Sequence, residues 1–149
     1  MYLKLLFVAC VVAVSYASRS PAEIRQWMLT KALDCTKGNF VSSKELQMMM
    51  NHQLPGTKNS DCYIACVFKK VEWLDEKGNY NIEATHKMAD KEYADDATKM
   101  ENAKKLFDHC KTVNDEAVTD GEAGCDRGHY LAKCLIDNAP KMGFDLSKY

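Results

Sequence analysis

Cysteines are the residues of this chain whose type and spacing say most about its chemistry. Seven are present; one lies in an apolar N-terminal segment, and the other six follow the pattern Cys35-x26-Cys62-x3-Cys66-x43-Cys110-x14-Cys125-x8-Cys134. An even number of cysteines in a small secreted chain indicates disulfide bonds with no thiol left over. A metal site is the alternative, but an oxidising compartment rarely leaves thiolates free, and no histidine completes a zinc-finger spacing. We therefore expect a structural role for all six, with no metal and no cofactor.

The first seventeen residues have the pattern of a secretory signal peptide. Lys4 supplies a positive charge, residues 5–14 are all apolar, and the small residues Ser15 and Ala17 fit a cleavage site after Ala17. The apolar run is too short for a membrane anchor, which needs about 20 residues. We expect residues 1–17 to be removed, and residues 18–149 to form one secreted, extracellular domain without stable membrane insertion. Cys10 leaves with the signal peptide.

Charge and motifs exclude several function classes. Without Lys4 the chain has 19 basic and 21 acidic residues, and no basic patch suggests nucleic acid. The sequence lacks a nucleophile elbow, a phosphate-binding loop and a zinc-protease helix. We expect no nucleic-acid partner and no enzymatic activity.

The elements that must position the cysteines are predicted to be helices. Capping boxes that begin at Ser20 and Ser42 predict helices reaching about Lys37 and Met50. Four more helices are predicted over about 60–77, 82–91, 96–110 and 125–138, where Pro140 prevents further extension. No segment alternates as a β-strand does. The predicted fold class is all-α, a compact six-helix domain linked by disulfides.

The third helix carries two apolar faces when its residues are placed 100° apart. Ile64, Val67, Phe68, Val71 and Leu74 share one face, and Cys62, Cys66 and Trp73 share the opposite one. Such a helix is expected to lie centrally, with neighbours on both sides.

Spacing also constrains the cysteine bonds without choosing among them. Cys62 and Cys66 leave their helix on one side, whereas Cys125 and Cys134, nine residues apart, leave theirs on opposite sides. The last two are therefore expected to bond different elements. Fifteen pairings of six cysteines remain open at this point.

The x3 and x8 cysteine intervals, in a small helical chain with a signal peptide, resemble those of the insect odorant-binding proteins, which include pheromone-binding and general odorant-binding members. Residues 61–78 are also similar to the third helix of that family. The resemblance covers essentially all of residues 18–149. It implies the pairs Cys35–Cys66, Cys62–Cys125 and Cys110–Cys134.

The same resemblance implies a secreted carrier that binds small hydrophobic molecules, such as odorants or pheromone-like ligands, in an apolar cavity. The expected partners are a small apolar ligand and, as a candidate, a chemosensory receptor, with the chain a monomer or a weak homodimer. The other roles that the sequence leaves open are a carrier of lipids, hormones or amines on the same fold, and a structural or signalling protein with a filled core.

The resemblance implies a cavity enclosed by the helices and closed at one side by the chain ends, and apolar residues of the predicted helices and tail are the candidates for its wall. Methionine is flexible and polarizable, which suits a site for several ligand shapes, although ordinary core packing is the alternative for each residue. The candidates are Met28, Met49, Ile64, Phe68, Val71, Leu74, Met88, Phe107, Leu131, Leu135, Phe144 and Leu146. Candidate polar groups for a ligand are Tyr63, Tyr130 and Tyr149, and candidates for a pH-dependent release are His52 and His129.

Overall fold

Six α-helices account for most of residues 18–149, the part of the chain that the computed structural model describes. The predicted signal peptide lies outside the described residues. In chain order the helices are α1 Pro21–Cys35, α2 Ser43–Met50, α3 Lys58–Lys70, α4 Ile82–Glu92, α5 Ala97–His109 and α6 Cys125–Asn138. Short 3₁₀ turns extend the chain after α5 and α6. Within 18–149 the only β-type pairing is an isolated bridge between Leu74 and Tyr80, so the predicted all-α class is confirmed.

Both predicted capping boxes are present. The Glu23 backbone N–H donates to the Ser20 hydroxyl, and the Ser20 N–H donates to the Glu23 carboxylate at 2.7 Å. Ser42 and Glu45 repeat this arrangement at the start of α2. Each such cap stabilises a helix by about 1 kcal/mol, because it satisfies backbone N–H groups that have no partner inside the helix. The sequence therefore sets where α1 and α2 begin.

The third helix is shorter than predicted, since it ends at Lys70 and not at Lys77. Glu72 takes a left-handed backbone with φ of 64°. The Trp73 and Leu74 N–H groups then both donate to the Phe68 carbonyl. The prediction that Trp73 lies on the helix face of Cys62 and Cys66 is therefore wrong.

A tight turn after α3 gives the physical reason for the early end. The Asp75 carboxylate accepts hydrogen bonds from the N–H groups of Lys77 and Asn79, at 2.9 and 2.8 Å. Gly78 adopts a φ of 76°, which favours glycine. An aspartate that bonds the backbone two and four residues later offers the chain an alternative to the helix.

Three disulfides connect the helices. They join the end of α1 to α3, α3 to the start of α6, and the end of α5 to α6, through Cys35–Cys66, Cys62–Cys125 and Cys110–Cys134. These are the same three pairs that the family resemblance implies. The two cysteines of α6 bond different elements, in line with their half-turn separation on the helix.

Helices α3 and α6 pack very closely. A Cβ placed on Gly128 of α6 would lie 3.0 Å from the Ala65 Cα, Cβ and N atoms of α3. Leu131, one turn further along α6, is fully buried. The pair α3–α6 therefore forms the dense part of the core, against which the other helices and the tail are arranged.

Candidate functional site

A large apolar cavity of about 670 Å³ lies inside the helical domain. Ligand pockets of proteins are about 300–1,000 Å³ in volume and predominantly apolar. All six helices, the loop after α2 and the C-terminal tail contribute side chains to its wall. The cavity is the best candidate for a functional site among the residues described.

Helix α6 shows how the cavity wall is built. Its lining residues Ala132, Leu135 and Ile136, with Ala139 directly after the helix, have the i, i+3, i+4, i+7 spacing of one helix face. Two of these four are alanines, so this face leaves space that larger side chains would fill. The cavity thus follows from the sequence of α6 as well as from the fold.

Nine of the twelve candidate ligand-binding residues line the cavity: Met28, Met49, Ile64, Phe68, Met88, Phe107, Leu135, Phe144 and Leu146. The structure brings these side chains, which come from all six helices and the tail, around one space. That they contact a ligand stays a prediction.

Three of the candidates do not line the cavity. Val71 and Leu74 follow the early end of α3 and are buried in the core beside it. Leu131 borders the cavity-facing stripe of α6, about 40° from Leu135 around the helix, and its fully buried side chain packs in the core.

Trp73 is the most informative wall residue that the sequence pattern did not identify. Its ring stacks on Phe68, with centroids 5.4 Å apart, and meets Phe107 at 5.7 Å edge to face. The turn signal Asp75-Glu76-Lys77-Gly78 would have placed Trp73 outside α3, because aspartate and glycine favour the first and last positions of a tight turn. Trp27, Leu54 and Tyr93 also line the cavity and were not candidates.

The cavity opens to solvent between α1 and α2. The exposed lining residues that the structure describes all come from these two helices or lie within three residues after one of them: Arg25, Gln26, Leu33, Thr36, Met50 and Gln53. Two of them are large apolar side chains, Leu33 at 67% and Met50 at 53% exposure. We call this set of six residues the mouth.

The C-terminal tail closes another part of the cavity. Phe144 is buried, and Leu146 and Tyr149 are half-buried against the core. The Tyr93 hydroxyl donates to the Tyr149 hydroxyl at 3.4 Å. Burial raises the pKa of Tyr93 above its usual value, so this hydroxyl keeps its proton at neutral pH. The tail is part of the wall, and the mouth lies elsewhere.

An ion pair anchors the start of α1 behind this wall. The Arg19 guanidinium donates two hydrogen bonds to the Glu92 carboxylate, one of them at 2.7 Å. Only 1% of the Glu92 side chain is exposed. Arg19 also lies over the ring of Trp27, 4.4 Å from its centroid. The pair therefore positions a cavity-lining tryptophan as well as the helix.

The candidate tyrosines and histidines divide between wall and surface. Tyr63, Tyr149 and His52 line the cavity, whereas Tyr130 and His129 do not. The Tyr63 hydroxyl already donates to a backbone carbonyl at 3.1 Å. The His129 ring bonds the Asp61 carboxylate at 2.8 Å.

Two further properties bear on function. Within 18–149, no group of three or more histidine, cysteine, aspartate or glutamate residues is arranged to hold a metal ion. No helix in this range is long and apolar enough to cross a bilayer.

The chain is similar to insect proteins of known family. General odorant-binding protein 19d of Drosophila melanogaster is 23% identical over the whole chain and 97% of that relative. General odorant-binding protein 28a is 27% identical over 78% of each chain. The solved structure of odorant-binding protein dmelOBP28a superimposes with a TM-score of 0.65 at 26% identity, covering 83% of this chain and 98% of the other. The model of the PBP/GOBP family matches residues 17–138, and the chain belongs to this family.

Proposed function

We propose that this protein is a secreted carrier that binds small hydrophobic molecules, such as odorants or pheromone-like ligands, in its cavity and delivers or buffers them in extracellular fluid. The observation that carries the proposal is the apolar space of about 670 Å³ between the helices. An unfilled space of this kind lowers the stability of the fold, because missing packing destabilises a core by about 24 cal/mol per Å³. Occupation by an apolar ligand would recover part of that loss.

Covalent links support the same role. Three disulfides join α1, α3, α5 and α6 around the cavity, and each stabilises the fold by roughly 2–4 kcal/mol through the unfolded chain. They offset the missing packing and hold the wall in place while the cavity is empty. Disulfides also fit the secretion that we propose.

Partners and oligomeric state complete the proposal. We expect the chain to act as a monomer or weak homodimer, without catalysis, and to present its ligand to a chemosensory receptor. A carrier of lipids, hormones or amines on the same fold is the second proposed role, since the same apolar wall would accept the hydrocarbon part of each.

Displacement of a fluorescent apolar probe tests the carrier function. The oxidised protein should bind the probe with micromolar affinity and release it when a long-chain alcohol is added. Ala132→Phe should weaken binding at least tenfold, because Ala132 faces the cavity and a phenyl ring would occupy part of it. Ala117→Phe, at an exposed position that does not line the cavity, should leave binding unchanged. Absence of probe binding by the oxidised protein contradicts the proposal.

A further inference from the structure

Arg25 differs from the other two arginines of the chain in having no bonded partner among residues 18–149. Arg19 is paired with Glu92, and the Arg127 guanidinium donates to the backbone carbonyls of Val113 and Glu116. Within residues 18–149, Arg25 takes part in no side-chain hydrogen bond and no ion pair. Its neighbours three and four positions away on α1 are Pro21, Ala22, Met28 and Leu29, so the helix offers no carboxylate to it.

This unpaired guanidinium lies at the mouth of the cavity. Among the lining residues that the structure describes, it is the only one with a full permanent charge, and no aspartate, glutamate or lysine accompanies it. The remaining polar lining groups apart from the tyrosines are Gln26, Thr36, His52 and Gln53, which come from the same two segments of chain. The cavity therefore has an apolar body and a polar mouth with one positive charge.

His52 lines the same cavity as Arg25. Burial, and then repulsion by the Arg25 charge, lower the pKa of His52 below its usual value. His52 is therefore neutral at neutral pH, and Arg25 alone supplies the charge at the mouth. An anionic group placed there would meet a cation and neutral hydrogen-bonding groups, with no carboxylate among the described lining residues to repel it.

We propose that the cavity takes apolar chains that end in a carboxylate, of the medium-chain fatty acid class, and that Arg25 binds the carboxylate at the mouth. The inference rests on the carrier function proposed above and specifies its ligand class. A guanidinium matches a carboxylate because its N–H groups form a planar fork that donates two parallel hydrogen bonds. Since Arg25 is exposed, the gain is that of a surface ion pair, roughly fivefold in affinity.

A comparison of dodecanoate with methyl dodecanoate tests the role of Arg25. The Kd of each compound is measured at pH 7.5 by displacement of the fluorescent probe. The readout is the Kd of the ester divided by the Kd of the acid. The ester keeps the chain and removes the charge, so the ratio isolates the head group. Arg25→Gln should lower this ratio about fivefold, and Arg25→Lys should lower it less, since the charge remains and the fork is lost.

Lys44→Gln is the matched control. Lys44 is exposed on α2 and does not line the cavity, so its removal changes the net charge equally and should leave the ratio unchanged. If dodecanoate and methyl dodecanoate both bind and Arg25→Gln leaves the ratio of their Kd values unchanged, the inference about Arg25 fails while the carrier function stands. If the oxidised protein binds neither the fluorescent probe nor either of the two dodecanoyl compounds, the carrier function fails, and this inference fails with it.

Discussion

The cavity has two contrasting sides, formed by α3 and α6 on the one hand and by α1 and α2 on the other. Helices α3 and α6 are joined directly by Cys62–Cys125, and each carries a second disulfide to another element. Helix α2 has no disulfide and no fully buried residue, and in α1 only Ile24 and Cys35 are buried. We call the two sides the linked side and the open side.

The difference indicates a division of roles. The linked side provides a wall whose position is set by covalent bonds and by close backbone packing. The open side carries the mouth and the flexible side chains of Met28, Met49 and Met50, which can adjust to ligands of different shape. Within residues 18–149, Cys35–Cys66 at the end of α1 links this side covalently to α3, and non-covalent contacts hold the rest of α1 and all of α2. The contrast predicts that the largest loss of stability comes from removing the disulfide of the linked side, while substitutions on the open side also affect how the mouth is held.

Removal of the disulfide Cys62–Cys125 should lower the stability of the fold most. Replacing both cysteines by alanine is expected to lower the free energy of unfolding by about 4 kcal/mol, because this bond closes the longest loop, with a sequence separation of 63. Removing Cys35–Cys66, with a separation of 31, should cost about 0.6 kcal/mol less. Urea unfolding of both double variants measures the difference. A larger loss for Cys35–Cys66 would contradict the assignment of the linked side as the more constrained one.

Arg19→Ala should cause the next largest loss of stability. It removes the ion pair with Glu92, which anchors the open side. The Glu92 carboxylate would remain buried without its partner, which is expected to cost about 3 kcal/mol. The double variant Arg19→Ala/Glu92→Leu should recover most of the loss, since no buried charge remains. Thermal unfolding of both variants gives the comparison. If the double variant is no more stable than Arg19→Ala, the loss comes from the missing stacking on Trp27 and not from the charge.

Much of the fold could be predicted from the sequence because its signals are local. The capping boxes at Ser20 and Ser42, and Pro140 after α6, depend only on neighbouring residues. The end of α3 was mispredicted because an apolar periodicity continues through Val71 and Leu74 although the chain has already turned. A periodicity of side chains does not reveal whether the backbone still follows it.

The cavity could be predicted only in part, for a different reason. Leu131 and Leu135 are the same residue type on the same helix, yet only Leu135 lines the cavity. The distinction depends on which direction α6 faces, and that is set by its packing against α3. The contact of Arg19 with Glu92 joins residues 73 positions apart, and no local pattern specifies it.

Gly128→Ala tests the close packing of the linked side. The new Cβ would lie 3.0 Å from backbone and side-chain atoms of Ala65, so α3 and α6 must separate slightly. We expect a loss of about 1–2 kcal/mol in spite of the higher helix propensity of alanine. Gly38→Ala is the matched control, since nothing lies within 4 Å of a Cβ at Gly38, and it should be neutral or stabilising. Equal unfolding free energies for the two variants would show that α3 and α6 can separate without loss.

Glu45 gives the smallest predicted effect and the most direct test of how the open side is held. Its carboxylate accepts hydrogen bonds from the Ser42 N–H at 2.7 Å and from the Thr57 hydroxyl at 2.6 Å. The second bond links α2 to the residue that caps α3. The bond from the Thr57 hydroxyl, and then those from the Ser42 N–H and hydroxyl, lower the pKa of Glu45 from 4.5 to about 2. The carboxylate thus fastens the helix that bears Met49 and Met50.

The pH dependence of stability follows from the sign of this shift. A carboxylate whose pKa is lower in the folded state stabilises the fold above pH 4.5, and the contribution is lost as the pH falls towards 2. Glu45→Gln should therefore lie below the wild type at pH 6 by a gap in unfolding free energy that narrows between pH 4.5 and 2.5 in urea titrations. Glu23→Gln is the control, because Glu23 bonds only its own cap residue Ser20 and should show a smaller gap. A gap for Glu45→Gln that stays constant with pH would mean that the charge of Glu45 does not hold α2, and that packing alone secures the open side.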